Sequence, residues 1–300
     1  WMLNIAAMTL GRYPQEVPEK WLIPEKKLAS EYPLKKFADR AGDIGFDVTT
    51  LSGGLIVDDF TNNGYLDILV SEWGVSDQVR FFVNNADGTF SDNTRAANLV
   101  GITGGLNLVQ ADYDNDGWLD VLVLRGGWLR QFGEQPNSLL RNNGDGTFSD
   151  VTSKAGLLSF HPTQTATWAD FNNDGWLDLF IGNETSGSEA FHHSELFLSN
   201  GDGTFTDVAK TAGVQVNKVG FRPTRHYIKG VASEDYDNDG DIDLYLSTGG
   251  LMQSRNFLFR NDLGQDNRWL KIRIEGDGET VTRDAFGTRA SPRSSARTLV

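Results

Sequence analysis

Short apolar runs, broken by clusters of Asp, Asn and Gly, follow one another along this chain in a fixed order. "GGLIVDDF" (53–60) and "LNLVQADY" (106–113) each carry an apolar stretch into an acidic turn. "YLDILV" (65–70), "WLDVLVL" (118–124), "WLDLFIG" (176–182) and "DIDLYLS" (241–247) lead out of it. Next come "VRFFVNN" (79–85), "NSLLRNN" (137–143), "SELFLSN" (194–200) and "NFLFRND" (256–262). Runs this short, bounded by turn residues, read as strands rather than helices. The Asn-Asp-Gly turns that follow, in "NNADGTFSD" (84–92), "NNGDGTFSD" (142–150) and "SNGDGTFTD" (199–207), tolerate positive φ and read as hairpins into a last short strand.

The pattern is a repeat. Its acidic turns begin at Asp59, Asp112, Asp170 and Asp235, so four copies occupy residues 37–262. A unit of four antiparallel strands at this spacing predicts an all-β fold, a β-propeller built from four-stranded blades. A β-solenoid is the alternative, but its units are shorter. The fourth copy lacks its own "GTF" strand. Two segments could complete it, Phe37–Asp39 in "KFADRAG" (36–42) or Trp269–Ile274. Residues 1–36 read as a helical stub and an irregular linker containing Pro14, Pro18, Pro24 and Pro33. Residues 263–300 form a third region with a Ser- and Arg-rich, disordered tail.

The acidic turns carry the chemistry. Each keeps the spacing of a D-x-D-x-D-G-x-x-D loop, with Thr, Asn or Asp at positions 3 and 5: oxygens at positions 1, 3 and 5, a glycine bend at 6, a main-chain carbonyl at 7 and a carboxylate at 9. The candidate ligands are Asp59, Thr61, Asn63, Tyr65 and Asp67 in the first loop, and Asp112, Asp114, Asp116, Trp118 and Asp120 in the second. The third offers Asp170, Asn172, Asp174, Trp176 and Asp178, and the fourth Asp235, Asp237, Asp239, Asp241 and Asp243. An all-oxygen set without His or Cys favours Ca²⁺ over zinc or copper, with Mg²⁺ a weaker fit. Three or four ions are expected, with the first loop, which has two ligand carboxylates, binding most weakly. The plain alternative is four solvated acidic turns without metal.

Composition narrows the rest. A net charge of −14 argues against nucleic acid as a partner. No apolar run is long enough for a transmembrane helix. The absence of cysteine excludes disulfides and thiolate sites. The chain starts at Trp1 without a signal-like segment, as a fragment or processed form would, and the Ser- and Arg-rich tail after Arg289 reads as a truncation or a change of frame. "GDGTF" lacks the Lys-Ser/Thr of a phosphate loop and reads as a hairpin turn.

These motifs resemble the FG-GAP or VCBS repeats, the blade units also seen in the integrin α-subunit head. "NRWLKIRIEG" and "TRDAFGTR" (267–289) resemble the opening of the ASPIC/UnbV domain, which follows such repeats in cartilage acidic protein-like proteins. "LNIAAMTLGRYPQEVPEKWLIP" (3–24) is similar to the segment joining a tetratricopeptide region to the repeats in bacterial relatives. The resemblance implies a calcium-stabilised, non-enzymatic interaction or adhesion scaffold outside the cytoplasm, with a protein or polysaccharide partner on a propeller face. A calcium-dependent polysaccharide lyase or hydrolase is the alternative, and Glu184, His193, Arg225 and His226 are its candidate groups. His192 and His193 sit in an insertion (183–196) beside Glu184, Glu189 and Glu195, either as a second metal or acid–base site or as a polar loop capping a blade. His161 completes the four histidines. Trp118 and Trp176 either stack on sugars or pack against the next blade.

Overall fold

In the computed structural model of the chain, the apolar runs pair antiparallel, each with its neighbour in sequence. The structure describes residues 1–28, 37–46, 51–129, 132–184, 192–216, 218–219, 222–223, 227–249 and 255–262. The first sheet holds β1 (Ser52–Asp58), β2 (Asp67–Glu72), β3 (Arg80–Asn84) and β4 (Phe90–Asp92). The second holds β5 (Asn107–Ala111), β6 (Asp120–Leu124), β7 (Ser138–Asn142) and β8 (Phe148–Asp150). The third holds β9 (Thr163–Ala169), β10 (Asp178–Asn183), β11 (Glu195–Ser199) and β12 (Phe205–Asp207). After a small hairpin, β13 (Lys218–Val219) and β14 (Arg222–Pro223), come β15 (Tyr227–Glu234), β16 (Asp243–Gly249) and β17 (Phe257–Phe259). That last sheet has three strands among the described residues rather than the four expected of a blade.

The sheets stand in a row, with β1 against β5, β5 against β9 and β9 against β15. This is the blade arrangement of a β-propeller. Among the described residues no strand pairing closes the row into a ring. First strands approach closely: a Cβ on Gly54 would lie 2.5 Å from the Leu108 amide nitrogen, so the Gly53-Gly54 pair marks a point of backbone contact.

The core is a set of slabs between successive sheets. Between the first two, Phe60, Phe81 and Phe148 meet edge to face, with centroids 5.7–6.2 Å apart. Between the second and third, Tyr113 packs on Trp168 and Phe205. In both slabs the aromatic at loop position 2 meets the "GTF" phenylalanine of the following blade. The third slab places Phe171 in the same way but has no such phenylalanine among the described residues, and it opens into a groove of about 340 Å³ lined by Phe171, Leu196, Val208, Leu244 and Phe259.

Residues Trp1–Phe46 form a compact unit apart from Asp47–Val300. Helices α1 (Met2–Thr9) and α2 (Glu25–Leu28) provide the expected helical stub. Buried Asn4 staples it, donating to the Trp21 carbonyl (2.8 Å) and accepting from the Ile23 amide (3.0 Å). Phe37–Asp39 does not form the strand expected of it, and Phe37 is 99% exposed. The segment instead copies the turn that follows each blade's last strand. Ala41 N–H donates to Asp39 at 3.0 Å, as Thr94, Thr152 and Ala209 do to Asp92, Asp150 and Asp207. Phe46 N–H then bonds the Ala41 carbonyl, as Leu99 does Thr94 and Leu157 does Thr152. The left-handed residue before it is Gly45 here, Asn98 and Gly156 there. Trp269–Ile274 and the ASPIC/UnbV-like segment lie outside the described residues. No helix among those described is long and apolar enough to cross a membrane.

Candidate metal centre

All four acidic turns adopt one backbone shape. The position-4 residue is Asn in each, in the left-handed region (Asn62, Asn115, Asn173 and Asn238, φ 52–60°), and the position-6 glycine follows with φ 87–96°. Asn bears that conformation better than other side chains, and Gly bears it freely. The position-1 carboxylate then folds over the turn. Gly117 N–H donates to Asp112 at 2.9 Å, Gly175 to Asp170 at 2.8 Å, Gly64 to Asp59 at 2.8 Å and Gly240 to Asp235 at 3.3 Å.

In the second loop Asp112, Asp114 and Asp116 bring carboxylate oxygens within 4.8 Å of one another, and in the fourth Asp235, Asp237 and Asp239 do the same. Calcium–oxygen distances of roughly 2.3–2.6 Å would span such a set. The fit has a second sign. Asp112 Oδ1 and Asp114 Oδ1 are buried and have no hydrogen-bond partner, although buried polar atoms are nearly always paired. Burial, with the neighbouring charges of Asp116 and Asp114, raises the Asp112 pKa above its ordinary value.

In the other two loops oxygens are turned to internal bonds. The Thr61 hydroxyl donates to Asp67 (3.1 Å), and the Asn172 amide donates to Asp174 (2.9 Å).

Position 9 has a distinct task. Asp67, Asp120, Asp178 and Asp243 are all buried. One oxygen of each accepts the main-chain N–H at the end of the third strand or just beyond it: Asn84 (2.9 Å), Asn142 (2.7 Å), Ser199 (2.8 Å) and Asn261 (2.8 Å). The other accepts from the start of the same loop, at Tyr113, Phe171 and Tyr236 N–H and at the Thr61 hydroxyl. Each therefore straps its loop to the middle of its blade. Burial above all pushes Asp120 up to about 8 and Asp178 up to about 6.

Arg141 was not identifiable from sequence. It donates to Asp114 (2.7 Å) and Asp116 (2.9 Å) through their outer oxygens. The equivalent residues of the other third strands are Val83, Leu198 and Arg260. Arginine thus stands only in the two blades whose loops carry aspartate at positions 1, 3 and 5; Arg141 pairs with its loop, whereas Arg260 donates to Asp262 at 3.0 Å. The signal was in the sequence, but only strand register pairs it with a loop 25 residues away.

Trp118 and Trp176 lie over the hairpins of their own blades. A Cβ on Gly144 would come within 2.8 Å of the Trp118 indole, and one on Gly201 within 3.2 Å of Trp176.

His161, His192 and Glu195 gather at the start of β9 and β11, at the ends of those strands away from the loops. His161 Nδ1 and His192 Nδ1 are 2.8 Å apart, a distance that takes one shared proton. Burial, then His192 and His193, lowers His161 to about 4. Burial raises Glu195 to about 7, although Asn183 and Ser159 donate to it. Glu184 is buried and paired with Lys229 at 3.2 Å. Glu189, Arg225 and His226 lie outside the described residues. Because folded Glu195 keeps a proton that the unfolded chain releases near pH 4.5, it subtracts stability as pH rises from about 4.5 to 7. A Glu195→Gln protein should gain in melting temperature over the unaltered chain across that window and not below it. An equal difference at all pH values would refute this assignment.

Residues 59–123, 128–181 and 170–246 match the profile of the FG-GAP-like repeat family. Cartilage acidic protein 1 of Xenopus tropicalis is 27% identical over 267 residues, covering 83% of this chain and 36% of that protein. The Homo sapiens protein of the same name is 29% identical over 229 residues, covering 70% and 29%. The chain thus spans about a third of the length of these curated relatives. Among solved structures, the V. cholerae biofilm matrix protein Bap1 overlays 66% of this chain and 29% of its own, at TM-score 0.37 and 12% identity.

Proposed function

The chain belongs to the FG-GAP-like repeat family, and on that premise we propose that it is a calcium-binding, non-enzymatic scaffold acting outside the cytoplasm. Its propeller face would engage a protein or a polysaccharide. One observation carries the metal part of this reading: Asp112, Asp114 and Asp116 converge around two buried carboxylate oxygens that nothing in the protein satisfies. A divalent cation supplies the charge and the coordination those oxygens lack.

In the second loop the ligands would be Asp112, Asp114 and Asp116, the Trp118 carbonyl and Asp120. The fourth would use Asp235, Asp237 and Asp239, the Asp241 carbonyl and Asp243. The first (Asp59, Thr61, Asn63, Tyr65, Asp67) and third (Asp170, Asn172, Asp174, Trp176, Asp178) would bind less strongly, because neutral groups replace carboxylates. Extracellular modules hold calcium with dissociation constants of roughly 10⁻⁴–10⁻³ M, suited to the calcium level outside cells.

The test is a calorimetric titration of Ca²⁺ into EDTA-treated protein, followed by melts of both forms. Binding only to the folded state adds RT ln(1 + [L]/Kd) per site, about 1.4 kcal/mol at a free calcium ten times Kd. Two strong sites plus weaker ones, with a melting temperature that climbs with calcium, are expected. A titration without heat and an unchanged melt would sink the calcium reading.

A further inference from the structure

The position-4 asparagines do more than fit a left-handed bend. Asn62 Nδ2 donates to the carbonyl of Gly117 (3.0 Å), Asn115 Nδ2 to that of Gly175 (3.2 Å) and Asn173 Nδ2 to that of Gly240 (3.3 Å). Each bond runs from one loop to the position-6 glycine of the loop in the next blade. The peptide it grips has a second end. The N–H of Trp118 donates to Asp116 (2.9 Å), that of Trp176 to Asp174 (2.9 Å) and that of Asp241 to Asp239 (3.0 Å). One peptide plane therefore links the asparagine of a loop to the position-5 carboxylate of its successor, three times in sequence.

We propose that these asparagines couple the calcium sites, so that filling one loop positions the position-5 ligand of the next. The inference rests on the calcium reading above. Position 4 lies between ligand positions 3 and 5, so an ion held by those two fixes the backbone from which the amide projects. With the amide fixed, the neighbouring Gly–residue-7 peptide is held in plane, and its N–H orients the carboxylate that must face the incoming ion. Linkage is reciprocal, so the later loop also favours occupancy of the earlier one.

The blades are not stitched equally. Asn142 Nδ2 also reaches back to the Phe60 carbonyl (2.9 Å), and Asn261 Nδ2 to that of Phe171 (2.6 Å). The third blade has Ser199 at this place, and its hydroxyl accepts from Gly201 N–H within its own hairpin. The joint between the second and third loops thus depends most on its asparagine, whereas Asn173 at the next joint also donates to Asp241 (2.8 Å), and Asn115 is the residue to change.

Asn115→Gly keeps the left-handed backbone and removes the amide. Calcium titrations would compare the unaltered chain, Asn115→Gly, Asp112→Asn and the double substitution, with EDTA melts verifying that each is folded. Removing the second loop's ion with Asp112→Asn should weaken the remaining sites about three- to tenfold, the size of one net hydrogen bond. At the third loop it should have no further effect once Asn115 is already glycine, because only the first loop is then still tied to the second, through Asn62. If Asn115→Gly fails to fold, Asn62→Gly tests the same coupling between the first two loops. Unchanged affinities in Asn115→Gly, or additive losses in the double substitution, would overturn the coupling while leaving the calcium reading intact. No calcium uptake by the unaltered chain would overturn both.

Discussion

Phe60→Ala should cost about 3–5 kcal/mol of folding stability, the loss typical of a large side chain removed from a packed core. Phe60 is 1% exposed, and its ring meets Phe81 at 5.9 Å and Phe148 at 6.2 Å. The three rings come from a loop, the third strand of the first blade and the last strand of the second. No single blade can close this cluster, so the substitution loosens the joint between blades rather than one sheet. Phe60 also sits at position 2 of the first acidic loop, between Asp59 and Thr61, and a collapsed cavity there would shift the loop itself. Urea unfolding with and without calcium measures both effects. Phe60→Leu should fall between the two, since it fills much of the volume without the edge-to-face contacts. A loss below about 1 kcal/mol in Phe60→Ala would mean that the first two blades do not share this core.

The second large effect is expected at Asp120. Its carboxylate is 1% exposed and accepts from the Asn142 amide at 2.7 Å and the Tyr113 amide at 3.3 Å. Alanine would leave two buried N–H groups without partners, at about 1–3 kcal/mol each. Stability measured in EDTA should therefore drop by roughly 2–6 kcal/mol. Asparagine retains one acceptor oxygen and should lose less. A residue that served only as a metal ligand would give the opposite pattern, with no loss in EDTA and a loss in calcium alone. That result would remove the strap from position 9 and, by the same geometry, from Asp178 and Asp243.

Several features of the site were legible from local spacing because their chemistry is local. The alternation D-x-D-x-D, the glycine at position 6 and the Asn-rich hairpins each lie within ten consecutive residues, where backbone geometry dictates the residue type. The apolar runs leaving each loop became β2, β6, β10 and β16 because continuous apolar character bounded by turns suffices to mark a central strand, and β6 and β10 are buried on both faces. Phe37–Asp39 shows where such reading fails. Its sequence matches a strand whose existence depends on an edge to pair with, and the segment carries only the turn half of that motif.

Repeat number, strand order within each blade and the four acidic loops were determined by sequence alone, through interactions that close within a few residues or within one hairpin. Tertiary structure alone decided which groups from different strands meet. Arg141 reaches Asp114 and Asp116 across strand register, Asn115 finds Gly175 sixty residues away, and His161 faces His192 from another strand. Such contacts depend on how blades twist and stack, which the burial of whole apolar faces sets and no local pattern encodes.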